Sequence, residues 1–369
     1  MKPIQDYIVP WVRESETYSD KHIDFAWSHP EILRMMSNEN LLSPSETVLD
    51  AVAQAARLGN LYPGSAEDLR KKLAEREGLS ADQVVLGNGS TDVINFTINT
   101  FVTPGDEVII PVPTFSMYEA RLRIHGGVPV LVPLTPAPHF YWDVAAMLTA
   151  VNEKTRLIII CTPNNPTGNQ IDESDLRRIL DTGIPVFIDE AYYELEEYPR
   201  SWTYLINEYP NAMVSRTMSK AYGLAGFRVG YVYASSEVAS YLNRVRFPWN
   251  VSLVAIAAAL AALDDEADQR YKRQNTLEGR QFLIDDIHRI PGLRAFPSDG
   301  NFVLIDAGIL NKTSSQIRDD IIDRGIFIRP MSPHHMKEGY IRVTVGTPEQ
   351  NRRFIQILKS YVNECLGFH

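Results

Sequence analysis

From Asp82 onward, short apolar runs alternate with amphipathic stretches along the chain. The runs are QVVLGNG, DEVIIPVP, VPVLVP, RLIIICTPNN, IPVFIDEA and GYVYAS, each bounded by Gly, Pro or Asn and rich in β-branched residues. Short continuous apolar runs of this kind predict strands buried within a mostly parallel sheet. Between them, STDVINFTINTFV and DESDLRRILDTG carry helical spacing, with Ser90 and Asp172 placed to cap the first turns. Strand and helix in alternation predict an α/β doubly wound domain.

After Asn250-Val251-Ser252 the pattern changes. An alanine-rich helix (VAIAAALAALDD) and a long charged one (DQRYKRQNTLEGRQFLIDDIHRI) precede strand-like NFVLIDA, GIFIRP and YIRVTVG, and NRRFIQILKSYVNECL closes the chain as a helix. This reads as a smaller α+β domain over residues 251–369, following a large domain over 41–250 and an N-terminal arm with a small-domain segment over 1–40. No internal repeat or flexible linker intervenes, so the two domains are expected to pack directly against each other.

Composition adds limits rather than detail. The chain has 369 residues, 44% of them hydrophobic, more core than one typical domain needs. The net charge of −10 comes from interspersed acidic and basic residues, which leaves no basic footprint for nucleic acid. Two cysteines, Cys161 and Cys365, form neither a disulfide framework nor a CxxC metal pair, which fits a reducing cytoplasm. The N-terminus lacks the apolar run of a signal peptide, so the mature chain is expected to start near Met1, and no stretch approaches the ~20 apolar residues of a membrane span. His334 and His335 are adjacent, with no i, i+4 partner or acidic cluster, so no metal site is expected; His335 is placed on a surface loop near a substrate entrance.

The polar clusters GNGSTD, PTFSMY, TPNNPTG and DEAYYE each follow an apolar strand, where open α/β sheets bind ligands. Asp189 ends the run IPVFI, and a carboxylate there needs a partner or a cavity. At a strand end it can keep a pyridinium nitrogen protonated. In RTMSKAYGLAGFRVG, Lys220 stands among small residues, with hydroxyls at Thr217 and Ser219 and a guanidinium at Arg228. An enclosed amine near other cations has a lowered pKa and forms imines with aldehydes, while hydroxyls and an arginine suit a phosphate.

From Asn38 to the C-terminus, SNENLLSPS, LYPG, GNGSTD, PTFSMY, CTPNNPTG, FIDEAYYE, RTMSKAYGLAGFRVG and GIFIRP…YIRVTVG stand in one order that resembles the fold-type I pyridoxal-5′-phosphate (PLP) enzymes. Specifically, it resembles class I/II aminotransferases of the histidinol-phosphate aminotransferase branch. The resemblance implies a homodimer and assigns Lys220 as the Schiff-base lysine, whose free amine shuttles a proton, and Asp189 as partner of the pyridine nitrogen. Asn165 and Tyr192 would bond the ring O3′, and Phe115 would stack on the ring. Ser90, Thr91, Thr217, Ser219 and Arg228 would cup the phosphate, with Thr91 replacing the Asp or Glu common at its position. Tyr62 would reach the PLP phosphate of the neighbouring subunit.

On the substrate side, the resemblance implies that Arg342 grips a carboxylate, Asn40 lies close to it, and Arg329 contacts a substrate phosphate. The expected reaction moves an amino group from an amino acid or amino-alcohol phosphate, best matched by histidinol phosphate, to a 2-oxo acid such as 2-oxoglutarate. An aromatic or specialised-pathway amino donor, and a decarboxylase resembling threonine-phosphate decarboxylase, are the alternatives. A PLP-sensing regulator of this fold carries a DNA-binding domain ahead of the NEN motif, for which the residues before Asn38 leave no room. Departures concentrate at the substrate end. The usual NENPxGPSP reads NENLLSPSE, the YPDP-like segment reads YPGS, and the arm lacks Tyr-x-Pro-Gly while carrying Tyr7, Trp11, Tyr18, His22, Phe25, Trp27 and His29.

Overall fold

The computed structural model describes residues 2–16 and 20–367; Tyr18 of the arm lies outside the described residues. The arm contains α1 (Pro10–Glu14), α2 (Lys21–Ser28) and β1 (Leu33–Arg34). Helices α3 (Glu46–Ala56) and α4 (Glu67–Glu75) then lead into β2 (Val84–Asn88), α5 (Ser90–Phe101), β3 (Glu107–Val112), α6 (Met117–Ile124), β4 (Val128–Pro133) and α7 (Val144–Ala150). There follow β5 (Thr155–Cys161), α8 (Glu173–Leu180), β6 (Val186–Asp189), β7 (Ala212–Thr217), β8 (Val229–Ala234) and α9 (Ser236–Val245). The C-terminal part comprises α10 (Leu253–Asp264), α11 (Glu266–His288), β9 (Arg294–Ala295), β10 (Phe302–Asp306), α12 (Ser314–Ile322), β11 (Ile326–Phe327), β12 (Arg329–Pro330), β13 (Tyr340–Thr344) and α13 (Pro348–Leu366).

The seven-stranded sheet has the order β2-β8-β7-β6-β5-β3-β4. Strands β4, β3, β5, β6 and β7 pair in parallel, and β8 runs antiparallel to both its neighbours, so the sheet is mostly parallel. Alternate residues of each strand bury on opposite faces. Val108, Ile110, Leu157 and Ile159 enter one core layer with α5, α6 and α9, while Ile109, Ile158 and Ile160 enter the other with α3, α4, α7, α8 and α10. Full burial of each such side chain contributes about 1.5–3 kcal/mol, and burial on both faces explains why these runs lack polar alternation. Among the described residues, no helix is long and apolar enough to cross a membrane.

The smaller sheet, β12-β13-β10-β9, is antiparallel and packs with α11, α12 and α13 around its own core. GIFIRP, read from the sequence as one strand, divides at Ile328: β11 pairs in parallel with β1 of the arm, and β12 joins β13. Thus Met35, just after β1, is buried in the C-terminal core. Helix α10, read as the opening of the smaller domain, buries Ala255, Ala258, Ala259 and Ala262 in the large-sheet core, where alanines permit a close approach to α3.

Three local expectations are corrected. Gly89, not Ser90, is the N-cap of α5, because the turn there requires φ = +78°, and Ser90 becomes the first helical residue. Asp172 occupies the N-cap of α8 without a side-chain cap bond. VPVLVP is not a fully buried strand; β4 lies at the sheet edge and is half-buried, which also accommodates its prolines.

Candidate active site

A cavity of about 280 Å³ opens where the loops after β2, β3, β5, β6 and β7 meet the arm and the smaller sheet. Its lining includes Ser90, Thr91, Phe115, Asn165, Asp189, Tyr192, Thr217, Ser219, Lys220, Arg228, Arg329 and Arg342. Four loops that the sequence placed at strand ends therefore converge, because parallel strands deliver their carboxyl ends to one edge.

Asp189 is buried at the end of β6, where Tyr118 of α6 donates to Oδ2 at 2.7 Å and the Ala191 amide donates to Oδ1 at 3.0 Å. Burial pushes its carboxyl up to about 6, against the pull of these bonds and of Lys220. A cationic ring nitrogen would supply the missing partner charge. Lys220 follows β7, with Nζ donating to the carbonyls of Asn38 (3.0 Å) and Ser37 (3.3 Å) and lying 5.8 Å from the Tyr192 ring centre. Burial and then the Arg342 guanidinium lower its amine to about 8, which leaves about a tenth of it neutral at pH 7, far more than an ordinary lysine has.

The adjacent asparagines of CTPNNPTG have separate jobs. Asn164 ties its loop to the loop after β3, accepting from Thr114 and donating to the Pro113 carbonyl, and also donates to Thr167 within its own loop. Asn165 Oδ1 accepts from Arg342 Nη1 at 2.5 Å, while Arg342 Nη2 donates to the Met36 carbonyl. Tyr192 accepts from Asn38 Nδ2 at 3.0 Å.

The phosphate end is built from backbone. Ser90 and Thr91 open α5, and the helix supplies no acceptor for its first N–H groups. A Cβ on Gly89 would lie 2.1 Å from Arg228 Nη2, so this glycine lets the guanidinium close over the helix N-terminus. Thr217 Oγ1 donates to Ser219 Oγ at 2.9 Å beside it. An aromatic wall at Phe115, a buried carboxylate, an enclosed amine and an anion cup fit the ring, aldehyde and phosphate of PLP.

Of the residues singled out from the sequence, Asn40 stands differently. Asn40 does not line the cavity: its amide donates to the carbonyls of Lys220 and Ala221 while its Oδ1 accepts from Leu42, so Asn38 occupies the place beside Tyr192. Tyr62 is 81% exposed, outside the cavity, and stacks on Trp249 at 4.8 Å. His335 turns outward to Glu119 at 3.0 Å, whereas His334 lines the cavity with His22, and burial followed by Arg329 and Arg342 lowers its imidazole to about 3. Sequence reasoning passed over Tyr118 and Asn38, although both belong to quoted motifs, PTFSMY and SNENLLSPS.

The fold and this site define a PLP-dependent enzyme of fold type I. The profile of the family Aminotransferase class I and II matches residues 30–358. A histidinol-phosphate aminotransferase from Symbiobacterium thermophilum is 39% identical over 90% of this chain and 91% of its own. Another, from Carboxydothermus hydrogenoformans, is 41% identical over 88% of this chain and 90% of its own. The crystal structure of the Sinorhizobium meliloti histidinol-phosphate aminotransferase with pyridoxal-5′-phosphate superposes with a TM-score of 0.85 at 26% identity, covering 97% of this chain and 98% of that one. The chain belongs to the class I and II aminotransferases and is a PLP-dependent enzyme; within that family it is similar to the histidinol-phosphate aminotransferase branch.

Proposed function

We propose that the enzyme moves an amino group between histidinol phosphate and a 2-oxo acid such as 2-oxoglutarate. The observation that carries this reading is the pairing of Arg329 with Arg342 on β12 and β13, both facing the cavity that holds Lys220 and Asp189. Two guanidiniums at a fixed separation suit two substrates that take turns in one site. Arg342, the more deeply buried, takes the α-carboxylate of the 2-oxo acid as a planar fork. Arg329, which lines the cavity together with His22 and His334, takes the donor phosphate or the distal carboxylate of the acceptor. The names of the relatives support the same donor.

PLP, when bound, supplies an aldehyde that condenses with amines and a ring that accepts electrons. Lys220 Nζ would hold that aldehyde and, once free, would take up and give back a proton at the substrate carbon. Its lowered basicity favours the neutral form this needs. Asp189, held by Tyr118, keeps the ring nitrogen protonated. Asn165 and Tyr192 would orient the ring oxygen, Phe115 would pack on its face, and Ser90, Thr91, Thr217, Ser219 and Arg228 would hold the phosphate. Asn40 acts from behind by fixing the Lys220 and Ala221 carbonyls.

Tyr62, with Trp249 and Phe247, forms an exposed aromatic patch that supports a homodimer with shared active sites. Free cysteines support a cytoplasmic location. We divide the domains near residues 40 and 250, with α10 crossing that boundary to pack on the large sheet.

The test is a single-turnover screen in which PLP enzyme is mixed with histidinol phosphate, aromatic amino acids and other donors, and loss of the visible cofactor band is followed. Fastest conversion by histidinol phosphate is expected. A preference for an aromatic amino acid, or release of CO₂ without glutamate, would replace this reading.

A further inference from the structure

Behind the lysine loop lies a second cavity of about 330 Å³, comparable in size to the first. It is lined by Ala221 and Tyr222, by Tyr193 and Glu194 after β6, by Arg76 at the end of α4, and by one face of α11 that includes Arg273. The segment Lys220–Tyr222 is thus the wall between the two cavities.

The polar groups here are left unsettled by the fold. Both carboxyl oxygens of Glu194 are buried and, among the described residues, have no hydrogen-bond partner. A buried carboxyl without a partner is costly, and such groups call for an explanation. Arg76 bonds only the Leu263 carbonyl, and Arg273 only the carbonyls of Glu194, Glu196 and Glu197; among the described residues neither pairs with a carboxylate. Arg270 and Glu266 cancel each other at the rim. Burial raises Glu194 to about 8, so it is a neutral donor near pH 7, and the cavity carries net positive charge beside Tyr193 and Tyr222.

We propose that this cavity is a second binding site, for a small carboxylate with an apolar or aromatic body, and that its occupant touches the lysine loop directly. The carboxylate would bridge Arg76 and the Glu194 hydroxyl, and the body would pack between Tyr193 and Tyr222. The site stands apart from the donor and acceptor chemistry and does not depend on which donor is used.

The titratable and charged groups around Glu194 are Arg76, Tyr193, Tyr222, Tyr231, Tyr233, Glu77, Glu190 and Arg216, with Arg273, Arg270 and Glu266 lining the same cavity. Of these carboxyls, Glu77 and Glu190 are paired to Arg216. Ionisation of Glu194 above about pH 8 removes the donor and adds a repelling charge, so affinity falls as pH rises.

The probe is 3-phenylpropanoate, titrated calorimetrically into the full-length holoenzyme. Two classes of site per chain are expected. Arg342→Ala should remove one class and Arg76→Gln should weaken the other by about tenfold or more. Glu194→Gln, which keeps a neutral donor, should retain the second class and abolish its weakening between pH 7 and 9. The uncharged 3-phenylpropanamide should not fill the second class. A single class that disappears in Arg342→Ala, or two classes indifferent to Arg76→Gln, would overturn the proposal. Should Arg342→Ala not fold, the two wild-type classes and the Arg76→Gln result decide by themselves.

Discussion

Arg329 and Arg342 occupy directly opposed positions on β12 and β13, with both side chains directed into the cavity. Burial first, and then positive charge, lowers the groups beside them: Arg329 and Arg342 both act on His334, and Arg342 acts on Lys220. An anion between them would accept hydrogen bonds from both guanidiniums. Replacing Arg329→Ala should therefore raise KM for a phosphorylated donor by ~10- to 150-fold, the loss of about 1.5–3 kcal/mol of charged hydrogen bonding, with little change for an unphosphorylated one. Steady-state kinetics on both donors check this, and an unchanged KM on the phosphorylated donor would remove Arg329 from the phosphate contact.

Lys220 is the sole lysine lining this cavity among the described residues. Lys220→Ala should abolish turnover and the visible absorbance of bound PLP while leaving thermal stability near wild type, since Nζ bonds only two backbone carbonyls. Reduction with borohydride followed by peptide mapping checks the attachment point; a label on another lysine would refute the assignment.

How much of this was legible beforehand differs by element. Strands β2 to β6 and β8 announce themselves because both of their faces are apolar. Strand β7 does not, since AMVSRT contains Ser215 and Arg216, yet both are fully buried. The reason is tertiary: Arg216 is neutralised by Glu77 and Glu190 and lies 3.8 Å from the Tyr193 ring centre, partners that no local pattern reveals.

The cofactor side of the site was similarly readable, because its residues follow strands in compact motifs. The substrate side depends on backbone detail. Which of two adjacent histidines faces the cavity follows from the left-handed φ of +59° at His335, and whether Asn38 or Asn40 approaches Tyr192 follows from the path of the arm. Neither is encoded in residue type.

Tyr118 offers a test of how Asp189 is set. Its hydroxyl is the only side-chain donor to that carboxylate among the described residues, and both groups are buried. Tyr118→Phe removes a bond that lowers the Asp189 carboxyl, so its pKa should rise above about 6 and its hold on the ring nitrogen should weaken. We expect kcat to fall about tenfold with KM little changed, and PLP to dissociate more readily. Cofactor dialysis gives a readout separate from turnover; unchanged retention and unchanged kcat would mean the bond is only structural.

The pH dependence of stability follows from Glu194. Its folded-state carboxyl stands at about 8 against an ordinary value of 4.5, because burial disfavours the charged form. Between these values the folded chain holds a proton that the unfolded chain has released. By linkage, stability then falls as pH rises from about 4.5 to about 8 and levels beyond. Glu196, raised to about 8 by burial, acts in the same window. In the cofactor-free chain Lys220 acts in the opposite sense and elsewhere: its free amine, lowered to about 8 chiefly by burial, lets stability rise with pH between about 8 and 10.5. Glu194→Gln deletes only its own contribution. The variant should therefore match or trail wild type in Tm at pH 5 and exceed it at pH 8, with the difference growing across the interval. Thermal melts of the holoenzyme at half-unit steps measure it. A constant offset between the two proteins would show that Glu194 already ionises normally in the folded state.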